Sequence, residues 1–156
     1  MKIGIIVYSQ TGNTLSVAEK LKEKLATAGH SPEIEQVTVV GGHKSGDRTF
    51  QLETRPDVAQ YDALVFGSAV EAFSLSPVMR GYLAVVDSLQ GKQIACLVTQ
   101  LFPYPWMGGN RAIRQMRGLC KSKGATVCGA GVVNWSKFRR ANTTEQAIKL
   151  VTQALA

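Results

Sequence analysis

The sequence predicts an α/β fold in which helices cover both faces of a central parallel sheet. Five short apolar runs alternate with stretches of helical period, the order expected of repeated strand–crossover–strand units. Four of the five runs are continuous rather than alternating, as strands buried on both faces are. Right-handed crossovers then leave a doubly wound arrangement. The chain has 156 residues, 45% of them hydrophobic and 19% charged. That composition suits one domain over residues 1–156 with a core of its own.

The first strand is residues 2–8. The helix after it sets Leu15, Ala18, Leu21 and Leu25 on one stripe and turns Glu19, Lys20, Lys22, Glu23 and Lys24 outward. Gly29 stops it. The second strand, residues 32–40, is weaker and alternates through Ile34, Val37 and Val39. Residues 41–57 have no clear period and hold at most a turn of helix near residues 56–60. The third strand is residues 63–67. A second helix starts near Pro77, a residue suited to a first turn, and carries Met79, Leu83 and Val86 inward. The fourth strand, residues 93–99, leads to a third helix over residues 110–123, with Ile113, Met116 and Cys120 on one stripe. The fifth strand is residues 126–133. The last helix begins after Asn142-Thr143 and carries Ala147, Ile148, Val151 and Leu155.

No apolar run approaches the ~18 residues of a membrane span. The apolar start of the chain is too short for a signal peptide, so the protein is expected in the cytoplasm. Cys96, Cys120 and Cys128 are odd in number and contain no C-x-x-C. Their apolar neighbours predict buried, inert thiols. His30 and His43 lie in turn-like surroundings, are expected to be exposed, and have no partner at metal-ligand spacing. The net charge of +7 is uneven: residues 1–90 carry 8 basic against 10 acidic groups, and residues 91–156 carry 10 against Glu145 alone. This basic half is either a solvated face or a docking face for an acidic partner or an anionic ligand. No recognition motif points to nucleic acid.

In doubly wound sheets ligands sit at the carboxyl ends of the strands, at the topological switch point. The loop after strand one reads Ser9-Gln10-Thr11-Gly12-Asn13-Thr14 and runs directly into a helix. A helix start offers unpaired N–H groups and partial positive charge. Hydroxyls at Ser9, Thr11 and Thr14 add donors, and Gly12 lets the backbone come close. Together they form a phosphate cradle without a lysine, or else an ordinary Asn/Thr helix cap. The loop is neither a Walker A nor a Gly-x-Gly-x-x-Gly motif. No aspartate ends strand one as in a phosphoacceptor domain, and no Cys-x5-Arg follows as in a phosphotyrosine phosphatase. After strand four, residues 100–109 hold Phe102, Tyr104 and Trp106 between Pro103 and Pro105, closing on Gly108-Gly109. Prolines stiffen such a loop. Its rings suit a flat aromatic ligand, a cover for the sheet end, or an oligomer contact.

The six residues from Ser9 to Thr14 resemble the FMN phosphate loop of the flavodoxin family nearly residue for residue. The stretch Phe66-Gly67-Ser68-Ala69-Val70-Glu71-Ala72-Phe73-Ser74-Leu75-Ser76-Pro77 is similar to that family's first flavin-contacting loop. Tyr82-Leu83 and Gly91-Lys92-Gln93 continue the likeness, which covers nearly the whole chain. The resemblance implies a three-layer flavodoxin-like sandwich around a five-stranded parallel sheet of order 2-1-3-4-5. It implies FMN as cofactor, held by Ser9, Gln10, Thr11, Gly12, Asn13, Thr14, Ser68, Ala69, Val70, Phe73, Gln100, Tyr104, Trp106, Gly108 and Gly109. It also implies electron transfer with a redox partner protein, here one with an acidic docking face. Two departures stand out. Ala69 and Glu71 occupy positions where the family often has proline and an aromatic, and this chain is basic where flavodoxins are usually acidic.

No Ser-His-Asp or Cys-His set is visible, and Glu71 has no second carboxylate beside it in sequence. Any chemistry therefore falls to the cofactor, and no catalytic or metal-binding residue is assigned. An NAD(P)H-dependent quinone or FMN reductase on the same fold is the second reading. Arg111, Arg114 and Arg117, or Arg139 and Arg140, would then hold the dinucleotide phosphates. A third reading is a flavin-less module with a basic partner face. If Arg111, Arg139 and Arg140 lie near the strand ends, they are expected to ease flavin reduction, against a Glu71 free to turn to solvent.

Overall fold

The chain's structure, a computed structural model, describes every residue except Gly46, Pro103, Pro105 and Ala156. In chain order its elements are β1 (Lys2–Val7), α1 (Asn13–Thr27), β2 (Ser31–Gln36), β3 (Thr38–Val39), β4 (Leu52–Thr54) and β5 (Ala63–Glu71). There follow β6 (Ser74–Leu75), α2 (Pro77–Val85), β7 (Gln93–Gln100), α3 (Gly109–Ser122), β8 (Thr126–Asn134) and α4 (Arg140–Ala154). The long strands form a parallel sheet of order β2-β1-β5-β7-β8, with β6 turned back antiparallel on β5. Counting the long strands alone, this is the expected 2-1-3-4-5 order.

Successive strand residues face opposite sides of the sheet, and each face has its own core. Ile3, Ile5, Val7, Ala63, Val65, Ala95 and Leu97 pack on Val17, Leu21 and Leu25 of α1 and on Ala147, Ile148 and Val151 of α4. Ile6, Leu64, Phe66, Ile94, Cys96 and Val98 pack on Val78, Met79, Tyr82 and Leu83 of α2 and on Ala112, Ile113, Met116 and Cys120 of α3. Each fully buried Leu, Ile or Val contributes about 1.5–3 kcal/mol, so both helix layers are needed to cover so apolar a sheet. No helix among the described residues is long and apolar enough to cross a membrane.

Four details differ from the sequence reading. The second strand is broken at Val37, whose side chain is buried while β3 leaves the sheet to pair antiparallel with β4. Residues 41–57 therefore supply one strand of a two-stranded ribbon instead of a helix, and Phe50 and Leu52, with Val39 and Val58 on either side, cover the sheet there. Their spacing fits neither a helical stripe nor a long strand, which is why no period was visible. The third strand runs four residues further, to Glu71, because its ladder with β7 continues through Ala69 and Thr99. Finally, α4 starts at Arg140, ahead of Asn142 and Thr143. The Thr143 hydroxyl does not cap the helix: it donates to the Arg139 carbonyl and accepts from the Asn134 N–H, tying the first turn to β8.

Among the cysteines, Cys96 and Cys120 are buried as expected, but Cys128 is exposed. It lies on β8, at the sheet's edge, where one side lacks a neighbouring strand. The Cys120 thiol is held well above its usual pKa, first by a hydrogen bond with Cys96 and then by burial.

Candidate functional site

The chain reverses direction across the sheet between β1 and β5, which are neighbours although β2 follows β1 in sequence. A cleft of about 260 Å³ opens at this switch point, at the carboxyl ends of the parallel strands. The loop after β1 contributes Ser9, Gln10, Thr11, Asn13 and Thr14, and the end of β5 contributes Ala69, Val70 and Glu71. The end of β7 adds Thr99, Gln100 and Leu101, and Trp135 follows β8. Ser45 reaches in from the segment between the two ribbon strands.

The first turn of α1 faces this cleft in an unusual state. Gly12 is its N-cap at φ 89° and has no side chain to cap it, and its first turn holds no acidic residue. A Cβ on Gly12 would meet no atom of the described residues within 4 Å, so they leave the space beside the helix start open. Ser9 Oγ accepts from Leu15 N at 3.1 Å, which leaves the hydroxyl proton for another acceptor. The remaining N–H groups of the turn and the helix's partial positive charge suit a phosphate. Thr14 is placed differently from Ser9 and Thr11. It is buried, and its hydroxyl lies 2.8 Å from that of Thr99. Of this hydroxyl pair only one proton remains to offer outward.

Glu71 and His43 correct the sequence reading. Glu71 is buried, not free to turn to solvent, and its Oε1 lies 2.7 Å from His43 Nε2. The His43 side chain, expected to be exposed, is fully shielded. Its ring sits edge-on to Tyr8 and Phe50, with centroids 5.8 and 6.0 Å away. Burial, and after it the Glu71 charge, push the Tyr8 phenol up to about 12. The backbone carbonyl of His43 also accepts from the Gln10 side chain. Residues 43–45 thus lean on both sides of the cleft. A histidine 28 positions before its partner leaves no short-range signal, and only the fold brings the two together.

Beyond Glu71 the chain turns tightly into β6 through Ala72 and Phe73, at φ 50° and 61°. Such turns favour Asn-Gly or Gly pairs, so Ala and Phe here store strain of about 1–3 kcal/mol each. Phe73 is half-exposed outside the cleft wall and stacks on Phe102, 5.0 Å between centroids. Tyr104 and Trp106 stack on each other at 5.8 Å, and Arg139 lies 4.9 Å from the Tyr104 ring. Both rings are exposed at the rim and do not line the cleft. The stiffening expected of Pro103 and Pro105 falls outside the described residues. What holds the loop is Gln100, whose Nε2 donates to the carbonyls of Phe102 (2.7 Å) and Tyr104 (2.6 Å). Gly108, at φ 115°, lets the loop pass against Val70 and the Phe73 backbone, where a Cβ would come within 2.9 Å. Gly109 packs on Gln100 itself. Ser68 is buried in β5, and its hydroxyl donates to the Ala69 carbonyl.

The structure therefore brings Ser9, Gln10, Thr11, Asn13, Thr14, Ala69, Val70 and Gln100 to one cleft, with Gly12 at its edge. Phe73, Tyr104 and Trp106 gather instead on the rim. Thr99, Ser45, Leu101 and Trp135 line the cleft without having been singled out in the sequence. Trp135 had a usable signal, since it directly follows the fifth strand. Arg140 stacks on it at 4.4 Å and donates to its carbonyl. Arg111 does not line the cleft. Among the described residues no cluster could hold a metal ion.

No protein-family model and no curated protein matches the amino-acid sequence. Solved structures do match the fold. A flavoprotein from Lactobacillus acidophilus in complex with FMN superposes with a TM-score of 0.66 at 18% identity, over 94% of this chain and 97% of that one. Oxidised flavodoxin 2 from Bacillus cereus gives a TM-score of 0.69 at 19% identity, over 99% and 97%. The Streptococcus pneumoniae flavodoxin gives 0.67 at 16%, over 98% and 99%. The fold is flavodoxin-like.

Proposed function

We propose that this chain, one domain over residues 1–156, binds FMN at the switch-point cleft and exchanges electrons with a redox partner protein. The observation that carries the reading is the open first turn of α1 at the cleft, with glycine at its N-cap. It occurs in a fold whose structural relatives include an FMN complex and flavodoxins. Ser9, Gln10, Thr11, Gly12, Asn13 and Thr14 would hold the phosphate, with Thr99 backing Thr14. Ala69, Val70 and Gln100 would border the ring. Phe73, Tyr104 and Trp106, shaped by Gly108 and Gly109, would form the rim, while Ser68 fixes the end of β5. FMN, when bound, supplies the one- and two-electron chemistry. The chain's own groups bind it, orient it and keep water from it.

The partner would present an acidic face. Leu101, Trp106 and Phe138 are exposed in the same part of the chain as Arg139 and Arg140, an apolar and basic combination suited to electrostatically steered docking. The free thiols Cys96, Cys120 and Cys128 suit a reducing compartment, the cytoplasm. Titration of the purified protein with FMN tests the reading: flavin fluorescence should be quenched on binding, and riboflavin, lacking the phosphate, should bind far more weakly. A protein that binds neither, or binds both alike, overturns it. Bleaching of the bound flavin by NADPH alone would instead favour an NAD(P)H-dependent reductase, a role to which Arg139 above Tyr104 is suited.

A further inference from the structure

A second hollow, of about 210 Å³, shares Glu71 with the wall of the cleft. Three arginines from separate elements line it: Arg48 from the segment between β3 and β4, Arg80 from α2, and Arg111 from the first turn of α3. Arg80 is held in place, its Nη2 donating to Ser74 Oγ at 3.2 Å and to the Leu75 carbonyl at 3.5 Å. None of the three guanidiniums lies within 4.0 Å of a carboxylate among the described residues, where the one ion pair is His43 with Glu71. Glu71 is the single acidic residue lining the hollow, and His43 already engages its Oε1. Arg111 adds a cation at the positive end of a helix, where the helix field opposes it. Three mutually repelling cations in one hollow, with so little to offset them, form a site for a multiply charged anion.

We infer that this hollow is an oxyanion site that holds the phosphate of a phosphorylated small molecule beside the cofactor cleft. A carboxylate carries one charge and would leave two guanidiniums unmatched, whereas a phosphate ester carries about −1.5 to −2 at pH 7. The planar guanidinium fork also fits phosphate oxygens in pairs. The hollow's preference for phosphate stands without any flavin; only the word cofactor rests on the reading proposed above.

Calorimetric titration of the full chain with pyrophosphate, inorganic phosphate and acetate at low ionic strength tests this. Pyrophosphate should bind saturably and more tightly than phosphate, and acetate should not bind. Arg48→Gln and Arg111→Gln replace exposed side chains and should each weaken pyrophosphate about tenfold. Arg114→Gln, on the same helix but outside the hollow, should leave it unchanged. Equal affinity in parent, Arg48→Gln and Arg111→Gln overturns the site, as does acetate binding as well as phosphate. FMN affinity should be the same in all four proteins. Its loss in Arg48→Gln and Arg111→Gln would assign these arginines to the cofactor instead. If the parent binds pyrophosphate through them but does not bind FMN, the oxyanion site stands and the flavin reading falls.

Discussion

His43 Nε2 meets Glu71 Oε1 at 2.7 Å with both side chains shielded from solvent. The pair clasps the segment between the ribbon strands to the tip of β5, and the Gln10 amide grips the same segment through the His43 carbonyl. Losing a buried side-chain hydrogen bond costs about 1–3 kcal/mol. His43→Ala should therefore lower the unfolding free energy by about 2 kcal/mol and weaken FMN binding, since Gln10 and Ser45 lose their support. Glu71→Gln keeps shape and one hydrogen bond, so its loss should be smaller. Urea unfolding of the three proteins, with FMN titration beside it, checks the order. A His43→Ala protein as stable as the parent would show that the clasp holds nothing.

The Thr14 and Thr99 hydroxyls, 2.8 Å apart and buried, form another coupled pair. Thr14→Val or Thr99→Val alone leaves a buried hydroxyl without its partner, at about 1–3 kcal/mol. The double variant buries no orphan and should be less destabilised than the two single losses combined. Thermal unfolding of this double-mutant cycle should give a coupling of about 1 kcal/mol. Simple additivity would mean the hydroxyls do not depend on each other.

The strands that build the sheet were legible in the sequence because burial on both faces makes them continuous apolar runs. The Ser9–Thr14 loop was legible because hydroxyls and glycine stood together directly after the first of those runs. Residues 41–57 were not legible: Phe50 and Leu52 cover the sheet there without any helical period. Glu71 looked like a lone exposed carboxylate because its partner is distant in sequence and joins it only through the fold. Cys128 looked buried because its neighbours are apolar, yet an edge strand leaves it exposed. Local pattern thus marked the elements and the loop after β1, and long-range packing decided the state of the side chains around the cleft.

Alkaline pH should unfold the protein from within. Burial, then the Glu71 charge, raise Tyr8 to about 12. Burial is also the first cause raising Tyr82, and for Tyr61 burial precedes hydrogen bonds to Glu35 and Glu33. In the unfolded chain a tyrosine ionises near 10. Above that pH the native state binds more protons than the unfolded state, so stability falls as pH rises. Below pH 10 the contribution is complete; from 10 to 12 and beyond it is progressively lost. Unfolding free energies at pH 9, 10, 11 and 12 should decline in that order, and Tyr82→Phe should flatten the decline. A flat profile would mean these phenols ionise in the native state as freely as in the unfolded one.

Gln100 should decide whether the aromatic loop stays closed over the sheet end. Its Nε2 bridges the Phe102 and Tyr104 carbonyls, while its Oε1 is buried without a partner among the described residues. Two substitutions of nearly the same length separate these effects. Gln100→Met loses two hydrogen bonds, about 0.5–1.5 kcal/mol each, but also removes the unpartnered oxygen, so its net cost should be small. Gln100→Glu loses the same bonds and turns a second acceptor toward two carbonyls, which repel it, and it buries a charge. The loop should therefore open little in Gln100→Met and much more in Gln100→Glu. Limited proteolysis within residues 101–108 reads this directly, with cleavage rates rising from parent to Gln100→Met to Gln100→Glu. FMN affinity should fall in the same order if the rim of Phe73, Tyr104 and Trp106 depends on the closed loop. The preference for FMN over riboflavin, set by the α1 end of the cleft, should persist in all three. Equal protection of the loop in parent and Gln100→Glu would show that Tyr104 and Trp106 are held by their own stacking rather than by Gln100.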